Sequence, residues 1–199
     1  MNFGIFRLGA SCLVGLLLTG CGNMPVVSML KLSRINFHTT DPASLRIAVK
    51  LPASIKPQRD RLRLRLTVQL PGSADTTQDF VLSEISDPAE LAMLRKEVDA
   101  GASIYAYRLD TAEARKLAAF RDDLLRKKQE GSRGGGLKIN VVPDACRSGE
   151  IAAGAVLFTT YLRTPETDSY VTLAEDVDIR TVVPGRDLVS EMPACGPAG

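Results

Sequence analysis

Along most of the chain, apolar and polar residues alternate one for one, the period of a strand with one face buried. The clearest run is Arg61-Leu62-Arg63-Leu64-Arg65-Leu66-Thr67-Val68-Gln69-Leu70. Its leucines and Val68 share one face, while Arg61, Arg63, Arg65, Thr67 and Gln69 share the other. Pro71-Gly72 marks the turn that follows. Leu45, Ile47 and Val49 alternate in the same way with Arg46, Ala48 and Lys50, as far as Pro52. Residues 80–85, 104–109, 137–142 and 177–183 read as further strands, and 156–162, apolar on both faces, reads as a central one. Residues 26–37 read as a strand whose alternation slips at Ser33-Arg34, as at a bulge. About eight strands with turn signals between them predict a mainly antiparallel β-sandwich, loosely immunoglobulin-like; a small open β-barrel with helices is the alternative.

The period changes twice. Asp87-Pro88-Ala89-Glu90 places an N-cap aspartate, a proline at N1 and a glutamate at N3, which opens a helix over 88–100. Leu91, Leu94 and Val98 make its apolar stripe and Gly101 its stop. Asp110-Thr111-Ala112-Glu113 repeats the device, and Ala114, Leu117, Phe120 and Leu124 line one face of a helix over 110–129. The glycine-rich stretch 131–136 then reads as a flexible return to the next strand.

Composition narrows the function classes. Of 199 residues, 45% are hydrophobic and 24% charged, as in a globular chain, and the formal net charge of +2 lacks the basic excess of a nucleic-acid binder. Near the start, Leu8 to Leu18 run without a charge behind Arg7. That run is too short for a stable bilayer span and suits a signal-peptide core. It ends in Leu18-Thr19-Gly20-Cys21, which resembles the lipobox of bacterial lipoproteins.

The resemblance covers only the first 21 residues. It implies cleavage before Cys21, so that 1–20 is a signal peptide, 21–25 an acylated cysteine with a short tether, and 26–199 a single globular domain. Cys21 would then hold the protein to the membrane through its acyl chains, two or more of which anchor stably. Gly22 is not acidic, which implies sorting to the outer membrane, facing the periplasm. With Cys12 discarded and Cys21 acylated, Cys146 and Cys195 remain, and an oxidising compartment favours a disulfide between them. It would staple the Pro/Gly-rich tail to the body, with a stabilisation of roughly 3–4 kcal/mol. The alternative is two free thiols, since zinc would need partners that the lone His38 and the unpaired cysteine spacing do not offer.

Catalytic residue sets are scarce. His38 ends the first strand pattern, no serine sits in a Gly-x-Ser-x-Gly elbow, and the glycine stretch lacks the Lys-Ser/Thr ending of a phosphate loop. Glu175, Asp176 and Asp178 lack a calcium-loop pattern. No metal, no cofactor and no enzymatic activity are expected. Arg61, Arg63 and Arg65, extended by Arg59, form the best candidate binding row; arginine suits bidentate contact with phosphate or carboxylate. The bland reading is a solvated sheet face. Asp144, Arg147 and Glu150, in the loop around Cys146, are the second candidate surface, and Tyr105 and Tyr107 share one face of their strand.

The leading expectation is a lipid-anchored periplasmic lipoprotein that acts as a non-enzymatic binding or assembly module for an envelope protein partner. The alternative is a carrier or sensor of a small amphiphile or an envelope glycan, held between sheet and helices. A deep apolar pocket separates the two.

Overall fold

The computed structural model describes residues 25–59, 61–129, 136–142, 144–182 and 185–196; the lipobox, Cys21 and the glycines at 131 and 134–135 lie outside them. In chain order the first elements are α1 (Val26–Leu32), β1 (Arg46–Pro52), β2 (Ile55–Pro57), β3 (Arg63–Gln69), β4 (Thr76–Val81) and β5 (Ser83–Ile85). α2 (Pro88–Ala92), β6 (Ala102–Arg108), α3 (Thr111–Gln129), β7 (Gly136–Val142), β8 (Ala145–Arg147), β9 (Leu157–Arg163) and β10 (Val171–Asp178) follow. One sheet has the order β10-β9-β1-β6-β5, a second β4-β3-β7, and β2 pairs with β8 in a short ribbon. All these pairings are antiparallel and no barrel closes among the described residues. The mainly β, sandwich-like architecture with added helices is the one the alternation predicts.

β1 sits at the centre of the larger sheet with both faces covered. Ile47, Val49 and Leu51 turn inward toward Leu62, Leu64 and Leu66 of the smaller sheet, all buried in one core. On the outer face, Ala48 lies opposite Ala106 of β6. Two small side chains leave a depression there, and Leu94 fills it without residual exposure. Beside it, α2 brings Glu90 onto the sheet. Arg163 Nη2 donates to Glu90 Oε2 at 2.6 Å and Tyr170 Oη donates to Oε1 at 2.7 Å.

Four sequence expectations are corrected. Residues 26–32 are helical, not a strand. Met29-Leu30-Lys31-Leu32 are all good helix formers, and the slip at Ser33-Arg34 is the helix end, where Ser33 N–H donates to Met29 O at 2.9 Å. The single strand expected over 80–85 is two: the chain leaves the smaller sheet after β4 and enters the larger one at β5. Leu82, fully buried at the crossing, donates its N–H to Leu62 O at 2.9 Å. The helix expected over 88–100 stops at Ala92 and tightens into a 3₁₀ turn at Arg95–Glu97. Burial of Leu94 in the outer depression drives that tightening, and Val98, expected in the stripe, is exposed. The strand expected over 177–183 lies earlier, as β10, and ends in a 3₁₀ turn at Ile179–Thr181. Its register shifts twice between Thr172 and Val177, and Asp176 has φ 49°, so no clean alternation survives in the sequence.

α3 follows its prediction closely. Asp110 Oδ1 accepts from Glu113 N–H at 2.8 Å, and Ala114, Leu117 and Leu124 are buried. Phe120 meets Phe80 edge-on with ring centroids 6.0 Å apart, which fixes the helix on β4.

Candidate functional site

At one end of the space between the two sheets, Ile47, Leu62, Phe80, Leu82, Tyr107 and Leu109 belong to one cluster and are almost wholly buried. At the other end the filling stops. A cleft of about 740 Å³ opens there. One wall is the inner face of β9 and β10, with Phe158, Thr160, Leu162, Leu173 and Val177; the other is Leu64 and Leu66 of β3 with Leu137, Ile139 and Val141 of β7. Leu32, Ile35 and Phe37, in and after α1, and Leu117 of α3 complete it.

The local sequence explains the void. Thr160 and Ala174 face each other across the β9–β10 register. Two small side chains stand where two large ones would reach the opposite sheet. Leu137, Ile139 and Val182 keep 38%, 40% and 47% of their surface exposed around the lining, although each is large and apolar. Apolar surface held open to water in this way is the usual mark of a binding groove.

Polar groups in the lining are few, and among the described lining residues none is an aspartate or glutamate. Arg65 and Asn140 are register partners on β3 and β7, at positions alternating with the inward residues, so their side chains belong to the opposite face. Arg121 is different. It stands one helical turn beyond Leu117, on the flank of the apolar stripe of α3. Its side chain is 18% exposed, Nη1 donates to Thr40 O at 3.1 Å and Nε to Asp122 Oδ1 at 3.2 Å. Thr40 Oγ1 in turn donates to Glu166 Oε1 at 2.6 Å, and that bond holds the Glu166 carboxyl below the ordinary glutamate range.

The candidate residues named from the sequence fall elsewhere. Arg65 grips Asp79 on β4 with two hydrogen bonds of 2.7 Å, a pair that holds the Asp79 carboxyl below its usual range. Arg61 lies 3.4 Å from Asp144, and Arg63 is exposed between them. The row is therefore partly neutralised from within. Asp144, Arg147 and Glu150 are not brought together by any ion pair among the described residues. Arg147 serves the tail: its N–H donates to Pro193 O at 2.9 Å and its carbonyl accepts from Cys195 N–H at 2.8 Å. Cys146 and Cys195 are joined by a disulfide, as the cysteine reading expects. Tyr107 is buried in the core, which pushes its phenol pKa upward, and Tyr105 packs partly against the same core.

His38 is exposed in a turn, its N–H donating to Asn36 Oδ1 at 3.0 Å. Asp178 Oδ1 ends β10 by accepting from Val156 and Arg180 N–H groups, both at 3.0 Å. Among the described residues no three His, Cys, Asp or Glu side chains gather as a metal set, and no helix is long and apolar enough to cross a membrane. The sequence offers a pocket only as the mark of its alternative reading, and names none of the side chains that face into the cleft as a site. The cleft's faint signal was Arg121, a charge set between Leu117 and Leu124 on an otherwise apolar face.

No protein-family model, curated protein or solved structure matches this chain.

Proposed function

We propose that the protein is a lipid-anchored carrier or sensor of a small amphiphile, held at the envelope through Cys21 and binding in the cleft between its sheets. The observation that supports this reading is the cleft itself: about 740 Å³, walled by leucine, isoleucine, valine and phenylalanine. Ligand pockets of drug-sized and lipid-sized molecules run from about 300 to 1,000 Å³ and are lined in the same way. Ten buried methylenes are worth roughly 8 kcal/mol at about 0.8 kcal/mol each, before ordering costs are subtracted, which leaves room for useful affinity. An envelope glycan fits the lining poorly, since sugars need dense hydrogen-bonding partners. Presentation of the arginine row to a protein partner is weakened as a reading, because Arg65 and Arg61 already face Asp79 and Asp144.

Two measurements test the proposal. Native mass spectrometry of the protein, released gently from membranes, should show an amphiphile at near one-to-one stoichiometry. An empty protein that also fails to take up a fluorescent long-chain probe would overturn the carrier reading. For the anchor, Cys21→Ala should abolish acylation and leave the chain unprocessed; a variant that fractionates and matures like wild type would sink it.

A further inference from the structure

The amphiphile of the proposed cleft can be specified by charge. We infer that it is anionic, a carboxylate or phosphate head on an acyl chain, and that Arg121 receives the head while β9, β10, β3 and β7 receive the chain. This rests on the carrier reading and adds the class of ligand to it.

The lining holds one inward charge, Arg121, and no acid of its own; the nearest carboxylates described lie outside it, Asp122 on Nε at 3.2 Å and Glu166 on the hydroxyl of Thr40. A guanidinium at the edge of an apolar wall is costly to desolvate unless an anion meets it. The groups Arg121 now contacts satisfy it only in part. Asp122 is its neighbour in sequence, with a side chain 66% exposed, and such a surface pair contributes little in water. Thr40 contributes a neutral carbonyl. Among the described residues Nη2 makes no hydrogen bond, so its N–H groups are available to an anion, which would complete the bidentate contact by sharing Nη1 or by displacing Asp122 from Nε. The position is also held in place. Thr40 is fixed by its hydroxyl bond to Glu166, and the buried Leu117 and Leu124 flank Arg121 along α3. A neutral amphiphile would bury its chain equally well, but its hydroxyl would offer the guanidinium only a neutral acceptor in place of a charge-assisted contact.

Displacement of a fluorescent long-chain carboxylate from the purified full chain tests the assignment, with competitors of matched chain length. A fatty acid and an acyl phosphate ester should compete at least tenfold better than the neutral alcohol. Arg121→Gln should erase that preference by weakening both anions about tenfold or more, leave the alcohol unchanged, and shift thermal unfolding little, because the side chain sits at the rim. Arg121→Lys should restore part of the preference. Asp122→Asn, at an exposed position, removes the competing carboxylate and should tighten the anions a few-fold, which keeps the test alive if Arg121→Gln folds poorly. The two anions separate the sources: a fatty acid binding best identifies a free carboxylate, and the phosphate ester binding best identifies a lipid phosphate head; either supports an anionic ligand. Equal binding of alcohol and anions, unchanged in Arg121→Gln, overturns this inference and leaves the carrier reading standing. Failure of all amphiphiles, or a dimer whose formation excludes the probe, overturns both.

Discussion

Between the two sheets, the end bounded by Leu62, Phe80, Leu82 and Tyr107 is filled, whereas the end bounded by Leu137, Phe158 and Leu173 stands open. Both ends are lined by similar apolar residues, so hydrophobicity does not separate them. What differs is reach. At the filled end α3 lays Phe120 against Phe80 and the chain crosses from sheet to sheet through Leu82, which ties the layers together. At the open end no such crossing exists among the described residues, and Thr160 opposite Ala174 shortens the wall. Stability and binding are thereby assigned to different ends of one core, and each can be perturbed with limited effect on the other.

The largest effect that would bear on this contrast is Phe80→Ala. It removes a fully buried ring and the Phe120 contact, and should cost about 3–5 kcal/mol in denaturant unfolding. A loss under about 1 kcal/mol would show that the filled end is not the stabilising one. Next, reducing the Cys146–Cys195 bond, or replacing both cysteines by serine, should cost roughly 3–4 kcal/mol, read as a lowered unfolding midpoint. Glu90→Gln, on the outer face of the larger sheet, leaves Arg163 and Tyr170 with a weakened acceptor and should cost about 1–3 kcal/mol without touching probe uptake.

Substitution in the cleft should behave in the opposite way. Ala174→Phe fills space that wild type leaves open, so stability should move by less than about 1 kcal/mol while probe uptake falls sharply. A large destabilisation there would mean that the open end is already packed in solution. The smallest effect is acid titration of the Arg65–Asp79 pair. Arg65 holds the folded-state carboxyl below its unfolded value, so the pair stabilises above the ordinary aspartate range and its contribution fades as pH falls through the folded-state pKa. Because the pair is part-exposed, Asp79→Asn should remove no more than about 1 kcal/mol at neutral pH and nothing at strongly acidic pH.

Legibility in the sequence follows the range of the forces involved. β3 is plain because Leu64, Leu66 and Val68, with Leu62 just ahead of the strand, obey a single local period. α3 is plain because Asp110 and the Ala114-Leu117-Leu124 face are local signals too. α1 misleads because Val26-Val27 favours a strand on its face, while the contacts of Leu32, Ile35 and Phe37 with the core are set by tertiary packing. The break at Leu82 depends on which sheet each half joins, and no window of six residues carries that. The cleft is hardest of all, since a void is a missing contact between elements distant in sequence. Only Arg121, a charge on an apolar stripe, marks it locally.

The bond between Cys146 and Cys195 has a mechanical consequence. Its partners are 49 residues apart, and β9 and β10, one whole wall of the cleft, lie inside the loop it closes. Tension applied to the tail would enter β8 through the sulfurs and the Arg147–Ala194 bridge, and would bypass both strands. The wall is thus carried off the load path. A protein tugged between its two ends would keep that wall slack and shaped until the covalent shunt was cut.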